Sequence, residues 1–311
     1  VVQGIMMLIA LILVPVVGII HVGGFSNLMS EVNRIDPTIF SLTHGEGALS
    51  GAAILGIVSA LAWGLGYFGQ PHIIVRFMAL RSTAEAKQGR RIGIGWMFLS
   101  VIGAGMTAIV GIAVYQHDEG KLANPEGVFI SLGQLLFHPF IAGFMLAAIL
   151  AAIMSTISSQ LLVTSSALVE DIYRAYTKRE LNGADGVLAG RIAVGVIALI
   201  AALLAWPRSD SILGLVAFAW AGFGASFGPI VILSLYWRKL TSPGAIAGMV
   251  TGAVVVGIWG NISGGIFDLY EIVPGFLLNL IVAAVVSRAT WKPNPEIDAE
   301  FNQTITETQG I

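Results

Sequence analysis

The chain has 311 residues, of which 56% are hydrophobic and 11% charged, with a formal net charge of −2. A soluble globular domain carries about 25% charged residues, so a surface this poor in charge cannot be solvated and the apolar excess needs lipid. Cysteine is absent, which removes disulfides, thiolate catalysis and Cys-based metal sites, and the slightly acidic balance argues against a nucleic-acid partner.

About 20 apolar residues cross a hydrocarbon core of roughly 30 Å. Charge-free runs at 1–30, 47–75, 92–117, 127–169, 192–207, 211–237, 240–267 and 272–287 therefore predict an all-α polytopic membrane protein of eight spans. The first run lacks a basic leader and is too long for a signal peptide. With Val1 in place of an initiator Met, the expectation is a fragment of a larger membrane protein. The fourth run is too long for one helix. Phe137-His138-Pro139 divides it into a short interfacial helix at 127–137 and a span at about 140–168. The run at 272–287 is short, with Arg288 placed to snorkel. Residues 1–288 form the transmembrane core on this reading, and the polar, proline-containing 289–311 a flexible cytoplasmic tail. With Val1 on the cytoplasmic side, thirteen of the sixteen basic residues fall in inner segments, and only Arg34, Lys121 and Arg208 in outer ones. That asymmetry places both ends in the cytoplasm.

The second run contains Trp63 to His72, WGLGYFGQPH. Gly64, Gly66, Gly69 and Pro71 within eight residues are too many breakers for an ordinary membrane helix. Non-helical backbone at this depth survives only inside protein or lining a cavity, and in transporters such segments form the solute site. Trp63 and Tyr67 lie near the middle of the run, away from the interfacial belt. They offer an apolar wall and a hydroxyl to a small organic solute. Pro71 suits the first turn of a second half-helix, whose free N–H groups suit a carboxylate.

Farther on, AAIMST places Ala152, Ser155 and Thr156 at i, i+3 and i+4, on one helix face. Two hydroxyls and a carbonyl there suit a sodium ion; equally, such hydroxyls bond back to the preceding turn or pack as small residues. Glu170 and Asp171, with Arg174 in reach, read as a solvated interfacial pair. WAGFGASFGP (220–229) reads either as a gate or as close helix packing, and Gly244, Gly248 and Gly252 as a packing ladder. His21, His44, His117 and His138 look interfacial, while His72 adjoins the break. No constellation for catalysis is present, and none of the chemistry of an enzyme is expected.

WGLGYFGQPHIIVRFMA, AAIMSTISSQLLVTSSALVEDIY (151–173), GRIAV (190–194) and AWAGFGASFGP (219–229) closely resemble the sodium/solute symporter family, in particular its sodium/proline members. The likeness extends to about residue 288. It implies a LeuT-type fold of two inverted five-helix repeats, with this chain holding the last helix of repeat one, all of repeat two and two further helices. The other discontinuous helix would lie outside the sequence. The resemblance implies a sodium site at Ala152, Ser155 and Thr156, and a solute site at Trp63, Gly64, Gly66, Tyr67 and Pro71. It further implies symport of sodium with L-proline across a bacterial inner membrane by alternating access. A different carboxylate solute, such as pantothenate or another amino acid, stays open, as does a transporter-like sensor module. A channel fits less well, since no ring of charges or filter-like repeat is present.

Overall fold

The computed structural model describes residues 2–43, 45, 50–115, 122, 124–177, 183–206 and 211–308. His44, His117, Lys121 and Arg208 lie outside them, as do Lys178 and Arg179, two of the thirteen basic residues counted in inner segments. All regular structure among the described residues is helical, and eight helical segments are long and apolar enough to cross a membrane. The chain divides into two compact units, Val1–Pro37 with Arg91–Asp210, and Thr38–Arg90 with Ser211–Ile311.

In the first unit, α1 (Val2–His21) ends at a turn through Gly23 and Gly24, whose φ of 92° and 105° suit glycine alone. This divides the first apolar run, because α2 (Phe25–Ile35), a short amphipathic helix, takes up its last residues, 25–30, and continues into the outer segment beyond them. Helix α5 (Thr83–Tyr115) begins well before its apolar run. Its later part packs closely on α1, with Gly103 against the Leu11 carbonyl and Gly18 against Val110. Small residues at such contacts let helices approach where lipid offers no hydrophobic drive.

The long fourth run divides at the expected place. Helix α6 (Val128–Leu136) stops before an extended Phe137, and α7 (Pro139–Ser166) starts with Pro139 at N1 and the His138 ring accepting from the Phe140 N–H. Beyond α7, no feature of the sequence signals that Ala167–Tyr173 is a π-helix, which continues into α8 (Arg174–Thr177). Glu170 and Asp171 lie exposed in that widened turn; the Arg174 side chain is outside the description. Helix α9 (Ala184–Ala205) completes the unit.

The second unit is built around α10 (Ile212–Tyr236), α11 (Ser242–Trp259) and α12 (Ile272–Thr290). Ser211 and Thr241 cap α10 and α11 through their hydroxyls. The glycine ladder is a packing surface: a Cβ at Gly244 would overlap Ser287, at Gly248 Asn279, and at Gly252 the Ala225 carbonyl. The unit also holds the interrupted second span. Where a flexible tail is expected, Pro295–Thr308 forms α13. Its acidic first turn, Glu296 and Asp298, suits a helix N-terminus. Arg238 holds it, at 3.5 Å from Asp298, 2.5 Å from Asn302 and 5.1 Å from the Phe301 ring centre.

Candidate functional site: the interrupted span

Helix α3 (Gly51–Ala62) is 12 residues long, starts at a Ser50 cap, and gives way at Trp63 to a 3₁₀ helix, Trp63–Gly69. Gln70 is then extended (φ −86°, ψ 111°), and Pro71 opens α4 (Pro71–Met78) at N1. The break is thus a tighter helix plus one extended residue, where its composition suggests non-helical backbone throughout. Along the chain, α3 contributes about 18 Å, the 3₁₀ turn about 14 Å and α4 about 12 Å, so the halfway point falls inside the 3₁₀ segment.

A 3₁₀ helix eclipses residues three apart, and that period sorts the motif. Trp63, Gly66 and Gly69 form one face and meet α10. A Cβ at Gly66 would overlap the Trp220 indole, and one at Gly69 the Phe223 carbonyl. Only glycine permits this approach. Gly64 and Tyr67 form a second face: Gly64 has open space where a Cβ would stand, and Tyr67 is 37% exposed. The five solute residues expected from the sequence are therefore divided, with Trp63 and Gly66 packed, Gly64 and Tyr67 open, and Pro71 starting the next helix.

Three residues outside that expected set complete the wall. Trp220 of α10 donates from Nε1 to the Trp63 carbonyl at 3.0 Å, filling a backbone acceptor beside the break. Its ring stacks with Trp63 at 5.7 Å between centroids and takes Tyr67 edge-on at 4.9 Å. Tyr270 also stacks with Trp63, at 6.0 Å. Its phenol donates to the Ala217 carbonyl and its backbone N–H to Ser59 Oγ, at 2.7 and 3.0 Å. Buried Gln70 donates to the Trp220 carbonyl at 3.3 Å. A lone glutamine before a proline in a charge-free run was the available signal for it. The Ile73 and Ile74 amides both bond the Gln70 carbonyl, which leaves the His72 amide of that first turn for another acceptor.

Ala152, Ser155 and Thr156 lie on α7, in the other unit. Thr156 donates to the Ala152 carbonyl at 3.2 Å, which brings those two oxygens together on one face. Ser155 and Thr156 are exposed, whereas Ala152 borders an apolar recess of about 230 Å³ shared with α1 and α6. Ser158 and Ser159 likewise bond back, to the Met154 and Thr156 carbonyls.

A sodium:solute symporter family model matches residues 1–252. The high-affinity proline transporter PutP of Bacillus subtilis (strain 168) is 52% identical over 302 residues, covering 97% of this chain and 62% of the relative. The osmoregulated proline transporter OpuE of the same organism is 47% identical over 296 residues, 94% of this chain and 58% of the relative. A sodium/proline symporter of Staphylococcus aureus is 47% identical over 311 residues, 97% of this chain and 59% of the relative. The chain thus spans less than two thirds of the length of the curated relatives it matches. With eight apolar helices, an interrupted span walled by aromatic rings and a family match over most of its length, it belongs to the sodium:solute symporter family.

Proposed function

We propose that the protein containing this chain is a sodium-coupled symporter of a small amino acid, L-proline, working by alternating access in a bacterial inner membrane with both ends of this chain cytoplasmic. The observation that carries this reading is the likeness, over nearly the whole chain, to relatives named as proline transporters and sodium/proline symporters.

Tyr67 and Gly64, on the open face of the 3₁₀ turn, meet the pyrrolidine ring. Trp63 and Trp220 back them with an electron-rich surface that favours the ammonium group of the solute. The solute carboxylate takes the His72 amide at the start of α4, where Pro71 fixes the first turn and the helix dipole adds a favourable field. Sodium is held by the Ala152 carbonyl and the Ser155 and Thr156 hydroxyls. Hard cations prefer such oxygens, and the Thr156 hydroxyl has only to turn its proton away from Ala152 to offer a lone pair. Further ligands of both substrates come from residues outside this chain, the remainder of the two inverted repeats. Sodium favours the outward-open state and raises solute affinity. Both are then released into a cytoplasm low in sodium.

The test is uptake of labelled proline into liposomes carrying the full-length protein under an imposed sodium gradient. Sodium-dependent accumulation is expected. Uptake indifferent to sodium removes the coupling. Sodium-dependent uptake of pantothenate or another amino acid, with proline not competing, changes the solute.

A further inference from the structure

Pro229 lies inside α10. It has no N–H, so the carbonyl of Ala225, four residues earlier, loses its helical donor, and the proline ring crowds that carbonyl outward. The replacement comes from another helix. Asn279 of α12 is fully buried, and its Nδ2 donates to the Ala225 carbonyl at 2.6 Å and the Ser226 carbonyl at 2.8 Å. Its Oδ1, by contrast, is buried with no hydrogen-bond partner among the described residues and lies against Gly248. An amide whose acceptor goes unused is present for its donors, because an unfilled buried acceptor is itself a cost.

The same stretch of α10 is gripped along its length. Gly252 and Gly275 approach Ala225 too closely to carry a Cβ, and Gly224 meets the backbone of Gly66 in the 3₁₀ turn. Four residues before Gly224 stands Trp220, whose indole fills the Trp63 carbonyl. We propose that Asn279 is a positioning residue for the interrupted span: it supplies the donor that Pro229 removes, fixes the register of α10 on α12, and so holds Trp220 against Trp63. The activity arm of its test rests on the transport reading above; the labelling arm does not.

Full-length protein carrying Asn279→Leu, Pro229→Ala or both separates this role from packing. Leucine has a similar volume and no donor, while alanine at 229 returns a backbone N–H to Ala225. Asn279→Leu alone is expected to raise the KM for proline about tenfold, the scale of one buried acceptor left open. It should also speed maleimide labelling of a Phe68→Cys reporter in the 3₁₀ turn. With Pro229→Ala present, adding Asn279→Leu should change either reading by less than about twofold, since the two sites share one interaction. An equal effect in both backgrounds, or none in either, overturns the proposal. Asn279→Leu protein that accumulates only with Pro229→Ala supports it, and failure to accumulate in both backgrounds counts against it. Wild-type protein that carries no proline defeats the transport reading, and the labelling comparison still decides the role of Asn279.

Discussion

Gly64 and Gly66 stand two positions apart in one short motif and answer to different neighbours. Gly66 lies where any side chain meets the Trp220 indole, so Gly66→Ala should destabilise the protein by about 2 kcal/mol, as overpacking does, and lower its thermal unfolding midpoint in detergent. Gly64 faces open space. Gly64→Ala should leave that midpoint unchanged and appear, if the proposed pocket is right, only in the KM for the solute. Thr156 offers a comparable separation. Thr156→Ala removes one proposed sodium ligand and should raise the sodium concentration for half-maximal uptake about tenfold, the scale of a hydrogen bond to a charge, whereas Thr156→Ser keeps the oxygen and most of the affinity. At this scale composition disclosed the motif but not the division of labour inside it. Four breakers in eight residues announced an interruption; which glycine faces α10 depends on a three-residue period and on Trp220, 157 positions after Trp63. Gln70, Tyr270 and Asn279 stayed hidden for the same reason, since each acts on a carbonyl of a distant element.

Among the elements, helices capped by Ser, Thr or Pro at charge-free runs were legible, because length, hydropathy and cap chemistry all point one way. The π-helix at Ala167–Tyr173 was not. An i→i+5 turn leaves no signature in a pattern of apolar residues, although widened turns of this kind are frequent at functional sites. Helix α13 escaped because its sequence is polar and its hold is tertiary, through Arg238. Exposed ion pairs contribute little, so Arg238→Ala should change global stability by less than about 1 kcal/mol. It should nevertheless release α13, seen as faster limited proteolysis between Pro295 and Thr308 with the core intact. Unchanged cleavage would mean that α13 is held elsewhere.

For the molecule as a whole, eight spans emerged from charge distribution alone, because lipid tolerates so few alternatives. The same distribution predicts topology: a fluorescent reporter fused after Ile311 should read as cytoplasmic, and one placed in the segment between α5 and α6 as external. Opposite readings would reverse the proposed orientation. The core of the second unit was less legible than its spans. Its tight contacts use glycine, alanine and one asparagine, residues that a hydropathy reading treats as neutral, and it is these that bring α10, α11 and α12 within backbone reach. Membrane interiors are assembled by such small residues because packing, not water exclusion, holds them.

The three-residue period of Trp63–Gly69 also restricts how this segment can change in length. Each residue of a 3₁₀ helix turns the chain by about 120°, so deleting or inserting one residue between Gly64 and Gly69 would carry the next face round by a third of a turn. A deletion ahead of Tyr67 would move it to the place of Gly66 and put Phe68 in its own, whereas an insertion there would put Gly66 in the open and Phe68 in the place of Gly69, against the Phe223 carbonyl. Point substitutions on the outward side are survivable; single-residue insertions and deletions are not, and only a change of three would restore the phase.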